Sequence, residues 1–245
     1  MKGKSLTEFC VETLSKEINL QRVPGLDEIE SVKLLSGEED GGIKIYKGEK
    51  IDKVTLVDFK FGGGVPIPHH GNALSIGAEI FQILPDLSCK LPIWGINSVI
   101  MKDGLYHFDT DFTFGFDLVM DYEFTMKYLE PFNEIYKKFW NHKDFERVFM
   151  DETTTWVRTY ISPVFVMVKT RIEKVSTVYE LCSEFIKCWL TMYKEAEKKD
   201  EDFKQSQLKR IKSQYAGMQQ TDRMGKVILG VYGNETFSKF LKAML

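Results

Sequence analysis

Leu105-Tyr106-His107-Phe108-Asp109-Thr110-Asp111-Phe112-Thr113-Phe114 reads as one β-strand. Side chains on a strand alternate between faces. One face therefore carries Tyr106, Phe108, Thr110, Phe112 and Phe114, and the other carries His107, Asp109, Asp111 and Thr113. The aromatic face places the strand in the middle of a domain. A histidine and two carboxylates on the opposite face are costly against an apolar core and cheap against water or a polar cavity. That face looks either at solvent or at a ligand, and the rest of the chain has to decide which.

The neighbours of this strand give the first answer. Lys102-Asp103-Gly104 carries the Asp-Gly signal of a tight hairpin turn. Leu91-Pro92-Ile93-Trp94-Gly95-Ile96-Asn97-Ser98-Val99-Ile100-Met101 precedes it, with proline confined to the start. The two strands pair antiparallel, and Asn97 lies opposite Asp109 to Asp111. Asn97 is polar in an apolar run, so it needs a partner, either across the hairpin or on a ligand.

Farther out, residues 5 to 19 read as a helix, with Leu6, Phe9, Cys10, Leu14 and Ile18 near one face. Gly42 to Tyr46, Ile51 to Phe61 and Ala73 to Leu84 read as strands. Gly62 to Asn72, with its three consecutive glycines, two prolines and the pair His69-His70, reads as a loop that brings backbone close to something. Adjacent histidines in extended chain point opposite ways, so they do not form one metal site, but either could stand at a pocket mouth. Tyr122 to Trp140 is an amphipathic helix that Pro131 kinks or interrupts. Phe145 to Met150 reads as a short helix, and Thr153 to Tyr160 and Val164 to Thr170 as β-rich. Arg158, Lys169 and Arg171 lie there as candidate donors to ligand carboxylates. Lys174 to Glu197 is a long helix, and Glu195 to Lys212 a charged stretch read as a solvated helix face or loop. A helix from Asp222, whose plain role is an N-cap, runs to Val231, with Gly233 as a stop and a final helix over Thr236 to Met244.

Helices at both ends, hairpin-joined strands between them and no alternating βαβ pattern predict an α+β fold. The expected architecture is a three-layer α/β/α sandwich, a central antiparallel sheet flanked by helices in a single domain over residues 1–245. The 245 residues, 43% hydrophobic and 13% aromatic, suffice for one large core. A net charge of −3 gives no argument for nucleic acid, and no apolar run is long enough to span a membrane. Cys10, Cys89, Cys182 and Cys188 lack metal or redox spacing and read as reduced thiols of an intracellular protein. There is no Gly-rich dinucleotide fingerprint or phosphate loop, so an enzyme here would bring no nucleotide or flavin of its own.

Four stretches together resemble the ferredoxin-dependent bilin reductases and the related red chlorophyll catabolite reductases. Leu91 to Asn97 resembles the family's Leu-Pro-x-x-Gly-x-Asp strand, and Pro85 to Lys90 precedes it with the family's spacing. Tyr160-Ile161-Ser162-Pro163-Val164-Phe165-Val166 resembles the Phe-Ser-Pro segment. Gln219 through Phe237 resembles the C-terminal helix with its aspartate. The resemblance spans about residue 50 to the end. It implies an open-chain tetrapyrrole bound between sheet and C-terminal helices, and electrons taken singly from reduced ferredoxin. It also implies radical chemistry and protons supplied by side chains, with no tightly bound metal or flavin.

Residue by residue, the resemblance makes Asp222 the substrate-facing helix aspartate and Asp111 the acid of the central strand. Asn97 stands where many bilin reductases keep a proton-donating aspartate. An amide cannot exchange a proton in that way, so Asn97 would orient the pyrroles with Asp109, while Arg158, Lys169 and Arg171 would hold propionates. His107, His69 and His70 complete the expected lining. Thr55 and Val57 stand where some bilin reductases use a histidine and a glutamate. The resemblance further implies ferredoxin as partner and a cytoplasmic or plastid-stroma location. The asparagine keeps a second reading open, a tetrapyrrole carrier of the same fold that has lost reduction.

Overall fold

The computed structural model describes residues 4–26, 29, 31, 41–66, 73–148, 156, 158–221 and 224–244. The Asp103-Gly104 turn sets its frame. Gly104 has a φ of 83°, a left-handed conformation open to glycine. Its turn returns β5 (Ile93–Met101) directly into β6 (Leu105–Thr113). The register follows from it: Asn97 pairs with Asp109, Gly95 with Asp111 and Val99 with His107.

Four further strands extend the sheet on the β5 side: β1 (Gln21–Arg22), β2 (Gly42–Gly48), β3 (Ile51–Pro66) and β4 (Leu74–Pro85). On the other side lie β8 (Val166–Arg171) and the edge strand β7 (Glu146–Arg147). The described sheet has eight strands in the order β1-β2-β3-β4-β5-β6-β8-β7, every neighbouring pair antiparallel.

Three expectations are corrected. The segment expected as a short helix from Phe145 contains β7 instead, because Glu146 and Arg147 complete the free edge of β8 opposite Lys169 and Val168. Trp156, Arg158 and Thr159 have 3₁₀ rather than β conformation, since β8 already has a neighbour on each side. The glycine run does not end β3. A bulge between Lys60 and Val65, with Gly64 at φ 90°, lets Val65 and Pro66 pair again with Ser75 and Leu74.

Helices cover both faces. α1 (Leu6–Ser15) starts at Ser5, whose hydroxyl accepts from Glu8 N at 3.2 Å. It packs on the aromatic face together with α3 (Glu130–Trp140) and α4 (Ser176–Glu195). Before α3 lie α2 (Tyr122–Phe124) and a π-helical turn over Thr125–Leu129; Pro131, which has no N–H to give the helix, stands just after that turn in the first turn of α3. Phe185 of α4 centres this layer, with its ring 5.0 Å from Phe112, 4.8 Å from Phe132 and stacked 6.3 Å from Trp94.

The other face is met by α5 (Glu201–Thr221) and α6 (Met224–Met244), the latter interrupted at Gly233. The charged stretch is therefore helical, and it buries Gln207, Ile211 and Gln214. Ile211 packs with Ile93 and Leu87, and Tyr232 of α6 with Phe59 and Phe61. This is the expected α/β/α layering.

Candidate active site

Because directly paired residues share a face, the strand that opened the sequence reading can be followed across the sheet. One row on the α5–α6 face runs Ile43, Val57, Ile80, Asn97, Asp109, Met167; the next runs Ile45, Thr55, Gln82, Gly95, Asp111. A central row under a helix layer is ordinarily sealed. Here Asn97 is exposed, and a Cβ placed on Gly95 would meet no atom of the described residues within 4 Å. Among the described residues nothing covers the sheet above Gly95 and Asn97, which leaves room there for a cleft.

The carboxylates lie in its floor. Asn97 Nδ2 donates to Asp109 Oδ1 at 2.8 Å. With its N–H engaged there, the asparagine carbonyl is left to accept from whatever enters the cleft. Asp111, two residues on and about 6.6 Å along the strand, is gripped from outside the sheet. Ser162 N donates to its Oδ2 at 3.0 Å, and the Ser162 hydroxyl bonds Oδ1.

Both carboxyls keep some solvent access, yet protein surrounds them on nearly every side, as at the bottom of a recess. Burial pushes Asp109 up to about 6 against the lowering effect of the Asn97 bond. Burial pushes Asp111 up to about 7, with the Ser162 donors and the Phe112 N–H opposing and the neighbouring Asp109 adding. An acid titrating near neutrality can give up a proton and take it back at working pH.

Polar groups continue along the second row. Gln82 Nε2 donates to Tyr215 Oη of α5 at 2.7 Å. Thr55 Oγ1 is buried and has no hydrogen-bond partner among the described residues, an unusual state for a hydroxyl. Tyr160 meets α5 at Gly217, where any Cβ would come within 2.5 Å of its ring.

The structure thus brings together Asn97, Asp109 and Asp111, with His107 buried one position along the same face opposite Val99 and Lys169. Lys169 stays on the cleft face beside His107. Arg171 does not join them: it lies at the far hairpin end and donates to Asp103 O at 3.0 Å. Arg158 is exposed. Asp222, His69 and His70 lie outside the described residues. A separate depression of about 380 Å³, lined by Ala73, Leu74, Lys102 and Asp103, sits at that hairpin end, away from the paired carboxyls. Sequence reasoning quoted Ser162 within a motif but assigned it no role, and it passed over Gln82 and Tyr215 altogether. Only the pairing of distant segments reveals them.

Residues 71–245 match the family model for ferredoxin-dependent bilin reductase. Comparison with curated protein sequences finds no significant match. Among solved structures, the fold is similar to phytochromobilin synthase from tomato in complex with biliverdin. That similarity has a TM-score of 0.77 at 14% identity and covers 97% of this chain and 82% of the tomato chain.

Proposed function

Since the chain belongs to the ferredoxin-dependent bilin reductase family, we propose that it reduces an open-chain tetrapyrrole seated over Gly95 and Asn97. The carrying observation is that exposed asparagine in the middle of an eight-stranded sheet, beside two carboxyls whose pKa values are raised toward neutrality. Each double bond reduced needs two electrons and two protons. The electrons come singly from two reduced ferredoxins, through a pigment radical, and no metal or flavin of this chain takes part. Asp111 supplies one proton as a carboxylic acid and is recharged from water in the cleft. Asp222, by its match to the family's helix aspartate, supplies the other. Asn97 and Asp109 orient the pyrrole nitrogens and carbonyls, His107 lies behind them, and Lys169, with Arg158 at the rim, meets the propionates. His69 and His70 are assigned to substrate binding in this reading. A plastid or cytoplasmic compartment, where ferredoxin is reduced, fits the same chemistry.

The test is an anaerobic assay with a ferredoxin-reducing system against a small panel of bilins, read by absorbance. Binding shifts the pigment spectrum, and turnover bleaches or moves it further. Asp222→Asn should bind pigment and stall at a coloured radical; normal turnover by that variant removes Asp222 from the mechanism. One observation favours a second reading, a pigment carrier: the amide of Asn97 at a position of proton donation. A spectral shift that never progresses on reduction supports the carrier, and no shift with any bilin defeats both.

A further inference from the structure

Ser162 reaches Asp111 across 51 residues of sequence. Its hydroxyl accepts from Val164 N at 3.1 Å. With that acceptor position used, the hydroxyl proton is directed to Asp111 Oδ1 while the Ser162 N–H holds Oδ2. One residue therefore meets both carboxyl oxygens with donors. The loop is shaped in advance: Ser162 precedes Pro163, which restricts it to extended conformations. Pro163 itself is exposed, so its contribution is conformational rather than packing. Two donors on the loop side stabilise the carboxylate and leave the cleft-side lone pairs for the acid proton. Burial favours the neutral acid, so the grip and the burial oppose each other at one group.

We propose that Ser162 is the positioning residue that sets the pH at which Asp111 yields its proton and aims that proton into the cleft. The role rests on the bilin-reductase reading. The step balances simply. Asp111 passes a proton to the pigment radical anion made by one ferredoxin electron, becomes a carboxylate held by both Ser162 donors, and regains a proton from water. Among the described residues, the titratable groups that face it are few. Asp109 stands on its own strand. Tyr136 of α3 lies close enough for Asp111 to disfavour ionisation of its phenol, and that phenol donates to Phe165 O at 3.2 Å. Tyr160 lies in the same loop. Tyr215 of α5 stands over the same row through Gln82, and Lys169 of β8 is one row beyond Asp109.

The experiment compares Ser162→Ala and Ser162→Thr with the wild-type protein. The first measurement is the pH profile of single-turnover bilin reduction. The second is an infrared titration of the carboxylic-acid band that Asp111→Asn abolishes, made on the pigment-free protein. Loss of one donor to a charged acceptor should move the Asp111 midpoint, and with it the alkaline fall of the rate, upward by about one pH unit. Threonine keeps the hydroxyl and should restore both. A slower Ser162→Ala variant with an unmoved rate profile and an unmoved band means a merely structural serine and overturns the proposal. A band that moves in a wild-type background that binds no bilin overturns the tetrapyrrole reading, and with it this role.

Discussion

Replacing Glu79 with glutamine is expected to stabilise the protein above neutral pH and to destabilise it slightly in mild acid. Glu79 points to the face opposite the cleft. It is 7% exposed and receives Leu6 N at 3.2 Å, Ser98 Oγ at 3.3 Å and Tyr106 Oη at 3.3 Å. Burial raises its pKa from 4.5 to about 7, Asp58 directly across the β3–β4 ladder adds to this, and the three donors offset only part. The folded state thus holds the proton more tightly than the unfolded chain. Its contribution is favourable below about pH 4.5, declines as pH rises through the interval to about 7, and stays lost above it. At 1.36 kcal/mol per pH unit, the gap between 4.5 and about 7 is worth about 3 kcal/mol. Glutamine carries no such penalty and can keep an acceptor for Leu6 N, at a cost of about 1 kcal/mol for imperfect replacement. Urea unfolding of both proteins from pH 4.5 to 8.5 reads the difference, which cancels the other titrating groups. The variant should lose about 1 kcal/mol to wild type at pH 4.5 and gain about 2 kcal/mol on it at pH 8, a swing of about 3 kcal/mol, or about 6–12 °C in Tm for a chain of this size. A stability difference that stays flat across that window refutes the account of Glu79 as an acid ionised only at a cost.

Gly95→Val should fold normally, since its side chain enters open space and a β-branched residue suits a strand, yet it should abolish the bilin-induced spectral shift. Undiminished pigment binding would place the tetrapyrrole elsewhere. Asp111→Asn should keep pigment affinity and lower the reduction rate about 10²- to 10⁴-fold in stopped-flow absorbance. In the wild type, the rate should fall as pH rises through about 7, because Asp111 must be protonated to act. Phe185→Ala, at the centre of the Trp94, Phe112 and Phe132 cluster, should cost about 3–5 kcal/mol in chemical denaturation. At temperatures where that variant stays folded, pigment binding on the opposite face should be unchanged.

Much of the sheet was legible because its signals are local. The Asp103-Gly104 turn placed Asn97 opposite Asp109 to Asp111, a span the structure narrows to Asp109, and alternation from Leu105 to Phe114 gave the two faces. What escaped was non-local. β7 has too few residues to show a period, and only the unfilled edge of β8 makes it a strand. Ser162 bonds a carboxylate 51 residues away, a link that neither periodicity nor composition can encode. Glu79 left one usable trace, a lone acid in the apolar run Ala78-Glu79-Ile80-Phe81 on the side facing the aromatic core. The same alternation that sorted β6 would have flagged it as a buried acid. The charged stretch of α5 looked solvated because its buried residues include Gln207 and Gln214, which bond backbone carbonyls at Leu87, Cys89 and Phe114 rather than packing as hydrocarbon.

The order of the sheet has a consequence for how the molecule is made. Strands β2 to β6 follow one another in sequence and in space, so each can zip onto its predecessor as it leaves the ribosome. The two helices that roof the cleft are translated after all of them. For that interval the sheet face proposed to hold pigment is open to solvent or to chaperones. Its middle then presents an amide and two carboxyls rather than bare hydrocarbon. The residues proposed to handle protons in the finished enzyme would thus first serve as water-tolerant cover for an unfinished one.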